Sequence, residues 1–379
     1  MMLRDLDDDA LRSAAPLKWA LDGPDVLPAW VAEMDFPVAE PVQHAVTAAA
    51  ATGVLGYPPP AETLGLPDAF AGFARRHWDW PVDTGRVTVL GSVMAGMALA
   101  LRQLAEAGPV VVPTPVYPPF LATVTDTGHA LRAVPLLERA GRYRLDLAAI
   151  ARELADGART VLLCHPHNPV GRAWSAEELA ELRDVVEPAG ARVITDEIHA
   201  PLTHPGTAFV PYAQVASSDA PVTTLTAATK AFNMPGLPCA LLVSQLREDH
   251  ARLQRLPPVL THGATGLGMA AATAAYRDGD RWLAAVRERV AGNLALLQER
   301  LADRLPAVRM APAEATYLAW LDVRELGLAA PARTALERGR VRLEQQDFGP
   351  GSAGHVRVNV GTSPVRVEQI AERLVRAWG

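Results

Sequence analysis

Between about residues 85 and 245, short apolar runs alternate with longer amphipathic stretches, and few architectures accommodate that rhythm. The runs fall at 87–90, 110–112, 131–134, 160–164, 192–195, 222–226 and 240–243. Several are apolar at nearly every position, the pattern of strands covered on both faces by helices. Helical periodicity fills the gaps at 93–107, 145–154 and 175–186. The last of these opens on Ser175 with Glu178 three residues on, the spacing of a capping box. Strand–helix alternation of this kind implies an α/β fold on a mostly parallel sheet, and seven runs make that sheet large. Beyond residue 245 the pattern turns helical, with a long stretch at 281–304. Two β-like runs at 317–321 and 355–360 and a closing helix at 365–377 follow. These read as a smaller α+β lobe. The opening 40 residues hold no complete sheet unit and are assigned to that lobe or to a subunit interface. The expected division is therefore a large domain at 45–277 and a small one combining 1–44 with 278–379, a size that 379 residues supply.

The charge balance excludes several classes of function. Lys plus Arg number 36 against 42 Asp plus Glu, a formal net charge of −6 with no basic stripe, which argues against a nucleic-acid partner. Arg75-Arg76 and Arg281, Arg287 and Arg289 fall on amphipathic helical patterns and read as solvated faces. Cys164 and Cys239 lie in apolar runs and are too few for a disulfide framework, as in a reducing compartment. The N-terminus turns acidic at Asp7-Asp8-Asp9 and has no signal-like apolar core, and no run reaches membrane-span length. A cytoplasmic protein without a membrane partner is expected.

Three segments that follow successive strand-like runs carry the chemistry. They are His165-Pro166-His167-Asn168-Pro169-Val170-Gly171, Asp196-Glu197-Ile198-His199 and Thr229-Lys230-Ala231-Phe232-Asn233. In an open α/β sheet ligands gather beyond the carboxyl ends of the strands, so an amide, a carboxylate and a lysine are expected to converge. Singly, each has a bland reading as a turn, a helix cap or an exposed loop; in order and at strand ends they become specific. His165 and His167 lack an acidic or cysteine partner at ligand spacing and read as structural rather than as a metal site. Cys164, Trp78, Trp80 and Trp282 read as core. The glycine-rich stretch 349–354 precedes a strand, not a helix, and reads as a mobile loop near Arg357 rather than a dinucleotide fingerprint.

With these segments in place the chain resembles the fold-type I pyridoxal-phosphate (PLP) enzymes, and within them the MalY/PatB-type cystathionine β-lyases of the class I/II aminotransferase superfamily. The resemblance runs along nearly the whole chain. Besides the segments above it takes in Trp30-Val31-Ala32-Glu33-Met34-Asp35-Phe36, Gly56-Tyr57, Pro115-Val116-Tyr117 and Arg357-Val358-Asn359. It implies a fold-type I PLP-dependent transferase, with a large domain whose seven-stranded mostly parallel sheet is sandwiched by helices and a smaller α+β domain. It further implies that Lys230 holds PLP covalently and later takes the substrate's Cα proton, while Asp196 pairs with the pyridine nitrogen. Asn168 would donate to the phenolic oxygen, Tyr117 would stack on the ring, and His199 would stand behind Asp196 or that oxygen. Gly91-Ser92-Val93-Met94 would present a helix start to the phosphate, with hydroxyls added by Thr229 and Thr226. Arg357 would grip the α-carboxylate, and Tyr57 would reach the site of a neighbouring subunit in an obligatory homodimer. The chain departs from its relatives at His165, often Asn, at Gly91-Ser92-Val93-Met94, and at Ala227, where many superfamily members carry serine.

The reaction so implied is β-elimination from an L-cysteine S-conjugate, giving a thiol, pyruvate and ammonia. Its rivals are an aminotransferase, a specialised biosynthetic enzyme acting on a bulky cysteine conjugate, and a regulatory partner that keeps the fold without catalysis.

Overall fold

The computed structural model describes residues 3–139 and 141–379. All seven expected runs become strands of one sheet. They are β1 (Val87–Leu90), β2 (Val110–Thr114), β3 (Leu131–Pro135), β4 (Thr160–Cys164), β5 (Arg192–Asp196), β6 (Val222–Thr226) and β7 (Ala240–Ser244). Their order across the sheet is β1-β7-β6-β5-β4-β2-β3. Neighbours are parallel except at β7, which runs antiparallel to both β1 and β6.

The apolar character of the central strands has a direct structural cause. Val111, Val161, Leu163 and Val193 point to one face and pack with helices Leu147–Ala155 and Ala176–Val186. Their chain neighbours Val110, Val112, Leu162 and Ile194 point to the other and pack with helices Val93–Gln103 and Pro119–Asp126. Alternate side chains thus reach opposite faces, and both faces are buried. Helix Ala176–Val186 starts as its sequence requires: the Ser175 hydroxyl accepts from Glu178 N, and the Glu178 carboxylate accepts from Ser175 N.

After the central sheet, helices Asp280–Arg304 and Pro364–Trp378 pack on a three-stranded antiparallel sheet of β8 (Arg309–Met310), β9 (Leu318–Asp322) and β10 (His355–Asn359). Strand β8 was not foreseen. Nor was the parallel pairing of Leu27–Pro28 with Val341–Arg342, which ties the opening residues to the C-terminal part. A small hairpin, Leu137–Arg139 with Arg142–Arg144, is likewise new. Two-residue strands carry no periodicity and arise from tertiary pairing.

Arg75, Arg76 and Arg281 are exposed, as expected, although Arg76 also donates to Asp280 at 3.0 Å and to Tyr276 O. Arg287 and Arg289 are half-buried instead: Arg287 donates to Pro201 O at 2.6 Å and Arg289 pairs with Asp5 at 2.6 Å, stapling their helix to neighbouring segments. Trp78, Trp80 and Trp282 pack in the core, as expected. Among the described residues no helix is long and apolar enough to cross a membrane.

Candidate active site

The carboxyl ends of β4, β5 and β6 come together at one edge of the sheet because these strands are parallel neighbours. Strand β7, running the other way, begins there. That edge opens into a cavity of about 500 Å³. Its wall includes Asn168, Asp196, His199, Thr229, Lys230, Tyr117, Arg357 and the turn Gly91-Ser92-Val93-Met94, so the three strand-end segments do converge. A cleft of about 550 Å³ beside the Arg139, Arg142 and Arg144 hairpin is as large, but it holds none of these residues.

Lys230 follows β6 in a turn, and its Nζ donates to Ala32 O at 3.0 Å. Burial pushes its pKa down; Arg357 adds to that, while Glu33 and Asp196 oppose it. Asn233, three residues on, adopts a left-handed backbone with φ 54°, which asparagine tolerates. Its side-chain amide exchanges hydrogen bonds with the backbone of Met34 and donates to Phe36 O. Lys230 and Asn233 therefore fix the segment from Ala32 to Phe36 against the cavity. Asn359 holds the same segment from β10, donating to Val31 O and Glu33 O, and Tyr317 OH donates to Ala32 O at 3.0 Å.

Asp196 ends β5 with its carboxyl buried. Oδ1 accepts from Ile198 N at 3.0 Å, and burial raises its pKa to about 7 against the weaker pull of that N–H and of Lys230. A carboxylate in that position lacks a strong cationic partner. Burial and the cations Lys230 and Arg357 push the pKa of His199 down to about 3, so its ring is neutral; its Nδ1 has no partner among the described residues. Tyr117 takes its backbone position from Asn168, donating N–H to Asn168 O at 3.0 Å, and burial raises its phenol pKa.

Arg357 is 2% exposed. Nη1 donates to Asn168 Oδ1 at 3.1 Å, and Nη2 donates to Trp30 O at 3.2 Å and to Glu344 Oε2 at 3.1 Å. Because Arg357 takes the Asn168 oxygen, the amide NH₂ is the group Asn168 has left to donate. Ser92 caps helix Val93–Gln103, its Oγ accepting from Ala95 N at 3.1 Å, which leaves the hydroxyl hydrogen free. Gly91 lies so close to Gly263 that a Cβ would come within 2.9 Å of its carbonyl carbon, so only glycine fits at that turn.

Thr226 is a correction: its hydroxyl, within reach of Glu197 O at 3.5 Å, is buried off the cavity, and Ala227 takes a place on the wall instead. Tyr57 is fully exposed and stands outside the cavity of its own chain. His165 and His167 donate Nε2 to Val210 O and Pro115 O, and burial lowers their pKa values to about 3 and about 4, which suits structural side chains. Cys164 is buried, yet its residue also borders the cavity. The 349–354 stretch closes as a turn on Asp347, whose Oδ1 accepts from Gly349 N and Ser352 Oγ.

Sequence reasoning gave no role to Trp30, Ala32, Tyr317 or Glu344. The first two act through carbonyl oxygens, and a residue type does not reveal those. The arrangement can hold an anion at a helix start, a cation against Asp196 and a carboxylate on Arg357, with an amine within electrostatic reach of both side chains.

Known proteins share this fold and much of this sequence. A solved chain from Corynebacterium diphtheriae, provisionally named a PLP-dependent β-cystathionase, superposes with a TM-score of 0.93 at 32% identity over 99% of this chain and 98% of its own. A Mycobacterium leprae (strain TN) protein provisionally named a cystathionine β-lyase is 38% identical over 99% of this chain and 98% of its own. The cystathionine β-lyase PatB of Bacillus subtilis (strain 168) is 33% identical over 93% and 92%. The family model for aminotransferase class I and II matches residues 25–374. That match spans the sheet, the cavity and the small antiparallel sheet together, and the chain belongs to the aminotransferase class I and II family.

Proposed function

We propose that this chain is a PLP-dependent C–S β-lyase that cleaves L-cysteine S-conjugates of the cystathionine type to a thiol, pyruvate and ammonia. The observation that carries the reading is the convergence of Lys230, Asp196, Asn168 and Arg357 on one cavity. Full-length similarity to proteins named cystathionine β-lyase supports it.

The residues present fit PLP. Burial raises the Asp196 carboxyl to about 7 despite Lys230, and a protonated ring nitrogen beside it is the kind of cation that would offset that cost. The start of helix Val93–Gln103 offers N–H groups and the Ser92 hydroxyl to a phosphate. Lys230 would hold the cofactor through Nζ, Asn168 would donate its amide to the phenolic oxygen, and Tyr117 would cover the ring. His199, neutral, would line the pocket without adding charge. When bound, PLP supplies the electron sink that stabilises negative charge developing at Cα.

The protein's own groups then perform the remaining work. Arg357 binds the α-carboxylate and, with Asn168 on its Nη1, fixes the Cα–H bond relative to Lys230. Burial lowers the proton affinity of Lys230, so its amine is available as the base that takes the Cα proton. Asp196 keeps a proton at the ring nitrogen through a charge-assisted contact of roughly 1.5–3 kcal/mol. Loss of the thiolate from Cβ, which takes up a proton to leave as thiol, completes the elimination, and water then hydrolyses the released aminoacrylate to pyruvate and ammonia. The segment Trp30 to Ala32 forms the cavity wall beside Lys230.

A homodimer is part of this reading. Tyr57 stands fully exposed with Val54 and Leu55 beside it, and Val259 and Leu260 add a second exposed apolar pair. In the dimer Tyr57 would complete the phosphate site of the partner subunit.

The test is an absorbance spectrum of the purified protein before and after L-cystathionine, with pyruvate assayed in the same tube. A visible cofactor band that is absent from Lys230→Ala, together with pyruvate release, is the expected result. A band that bleaches without pyruvate would make the chain an aminotransferase or an enzyme for another conjugate. No band after added PLP would overturn the cofactor assignment.

A further inference from the structure

Glu344 stands where the active-site cavity meets an outer cleft of about 340 Å³, and its residue lines both. Its carboxylate is held at both oxygens. Oε2 accepts from Arg357 Nη2 at 3.1 Å; Oε1 accepts from Gln345 N at 2.9 Å and Gln346 N at 3.2 Å. The pair is 2% and 10% exposed. A buried guanidinium without an anion is costly, and Glu344 neutralises Arg357.

That pairing has a stereochemical consequence. A carboxylate is gripped bidentately either by Nη1 with Nη2 or by Nε with Nη2, so each fork uses a hydrogen of Nη2. Nη2 has two, and it spends them on Trp30 O and Glu344 Oε2. Among the described residues the Nε hydrogen has no partner, and Nη1 spends one on Asn168. The forked grip on an α-carboxylate therefore requires Nη2 to release one acceptor. Trp30 O belongs to a backbone segment pinned by Asn359 and Asn233, whereas the Glu344 carboxylate can swing by side-chain rotation alone into the outer cleft that its residue also lines.

We infer that Glu344 is a built-in competitor for the substrate carboxylate: it holds Arg357 until an amino acid displaces it toward the outer cleft, and so sets the affinity and carboxylate selectivity of the site. The inference rests on Arg357 as the α-carboxylate clamp. An internal ligand raises the apparent Kd by the reciprocal of the fraction of time it leaves the site free, about tenfold where that fraction is about a tenth.

Calorimetric titration of the cofactor-loaded protein with L-alanine, and separately with L-alaninamide, tests this in wild type and Glu344→Gln. L-Alanine is expected to bind about tenfold tighter to the variant, while L-alaninamide, which has no carboxylate to compete, gains nothing. An unchanged cofactor band shows that the variant is folded. Glu344→Asp, too short to reach Arg357 and both loop amides together, should move L-alanine binding in the same direction and serves if Glu344→Gln does not fold. Weaker or unchanged L-alanine binding in the folded variants would overturn the inference and leave Glu344 as a support for Arg357. Equal binding of L-alanine and L-alaninamide by wild type would instead remove the clamp reading of Arg357.

Discussion

Asp196 concentrates the residue-scale physics of the site. Its carboxyl, ordinarily near 3.8, is raised to about 7 because burial outweighs the Ile198 N–H and Lys230. In cofactor-free protein the folded state therefore binds this proton more tightly than the unfolded chain does. The stabilisation is fully present below the ordinary carboxylate range and is lost as pH rises from about 4 to about 7. Glu197, raised to about 8 by burial, acts in the same direction. Cofactor-free wild type should lose thermal stability over that window, and Asp196→Asn should flatten part of the fall while the Glu197 share persists. The part contributed by Asp196 reaches up to about 1.4 kcal/mol per pH unit. Thermal unfolding of both proteins across the pH series checks this, and parallel curves would show that Asp196 titrates elsewhere. A pyridinium beside Asp196 favours the carboxylate, so added PLP should also reduce the wild-type slope.

At the scale of elements, the position of a group on its strand decided how much could be read in advance. Asn168, Asp196 and Lys230 were legible because each ends or follows a strand whose two faces are buried, and parallel neighbours bring those ends together. The role of segment 30–36 was not legible, because Asn233, Asn359 and Lys230 hold it through its backbone, and backbone groups are the same in every residue type. Glu344 was hidden for another reason: it lies in the link between Val341–Arg342 and β10, which has no periodicity to mark it. The helix expected at 93–107 ends at Gln103 with Leu104 as its C-cap, and the chain then runs through Gly108, φ 147°, into β2. The capping box of Ala176–Val186, by contrast, was local and was foreseen. Its two members should nevertheless differ in cost. Ser175→Ala removes one cap bond, about 1 kcal/mol. Glu178→Ala also strips a carboxylate from Arg172, which is 2% exposed and otherwise pairs with Glu314. Urea unfolding should place the Glu178→Ala midpoint clearly below that of Ser175→Ala; equal midpoints would mean that the Arg172 pairing adds nothing.

The whole molecule makes sense of the residues left outside the cavity. Tyr57 is fully exposed beside Val54 and Leu55, a poor arrangement for a lone subunit and a natural one for a subunit whose tyrosine belongs in its partner's site. The two halves of each proposed site would then come from different chains, Lys230 from one and Tyr57 from the other. That division predicts complementation between two damaged proteins. Tyr57→Ala and Lys230→Ala homodimers each lack a complete site. Unfolded together in equal amounts and refolded with PLP, half of the dimers formed are hybrids, and each hybrid has one site with both residues intact. Lyase activity should therefore recover to about a quarter of wild type, well above either parent. If Tyr57 served its own chain, every site in the mixture would be damaged and no recovery would follow. A monomer by sedimentation would give the same null result and would also remove the shared site from the reading, so refolding and sedimentation belong in one experiment.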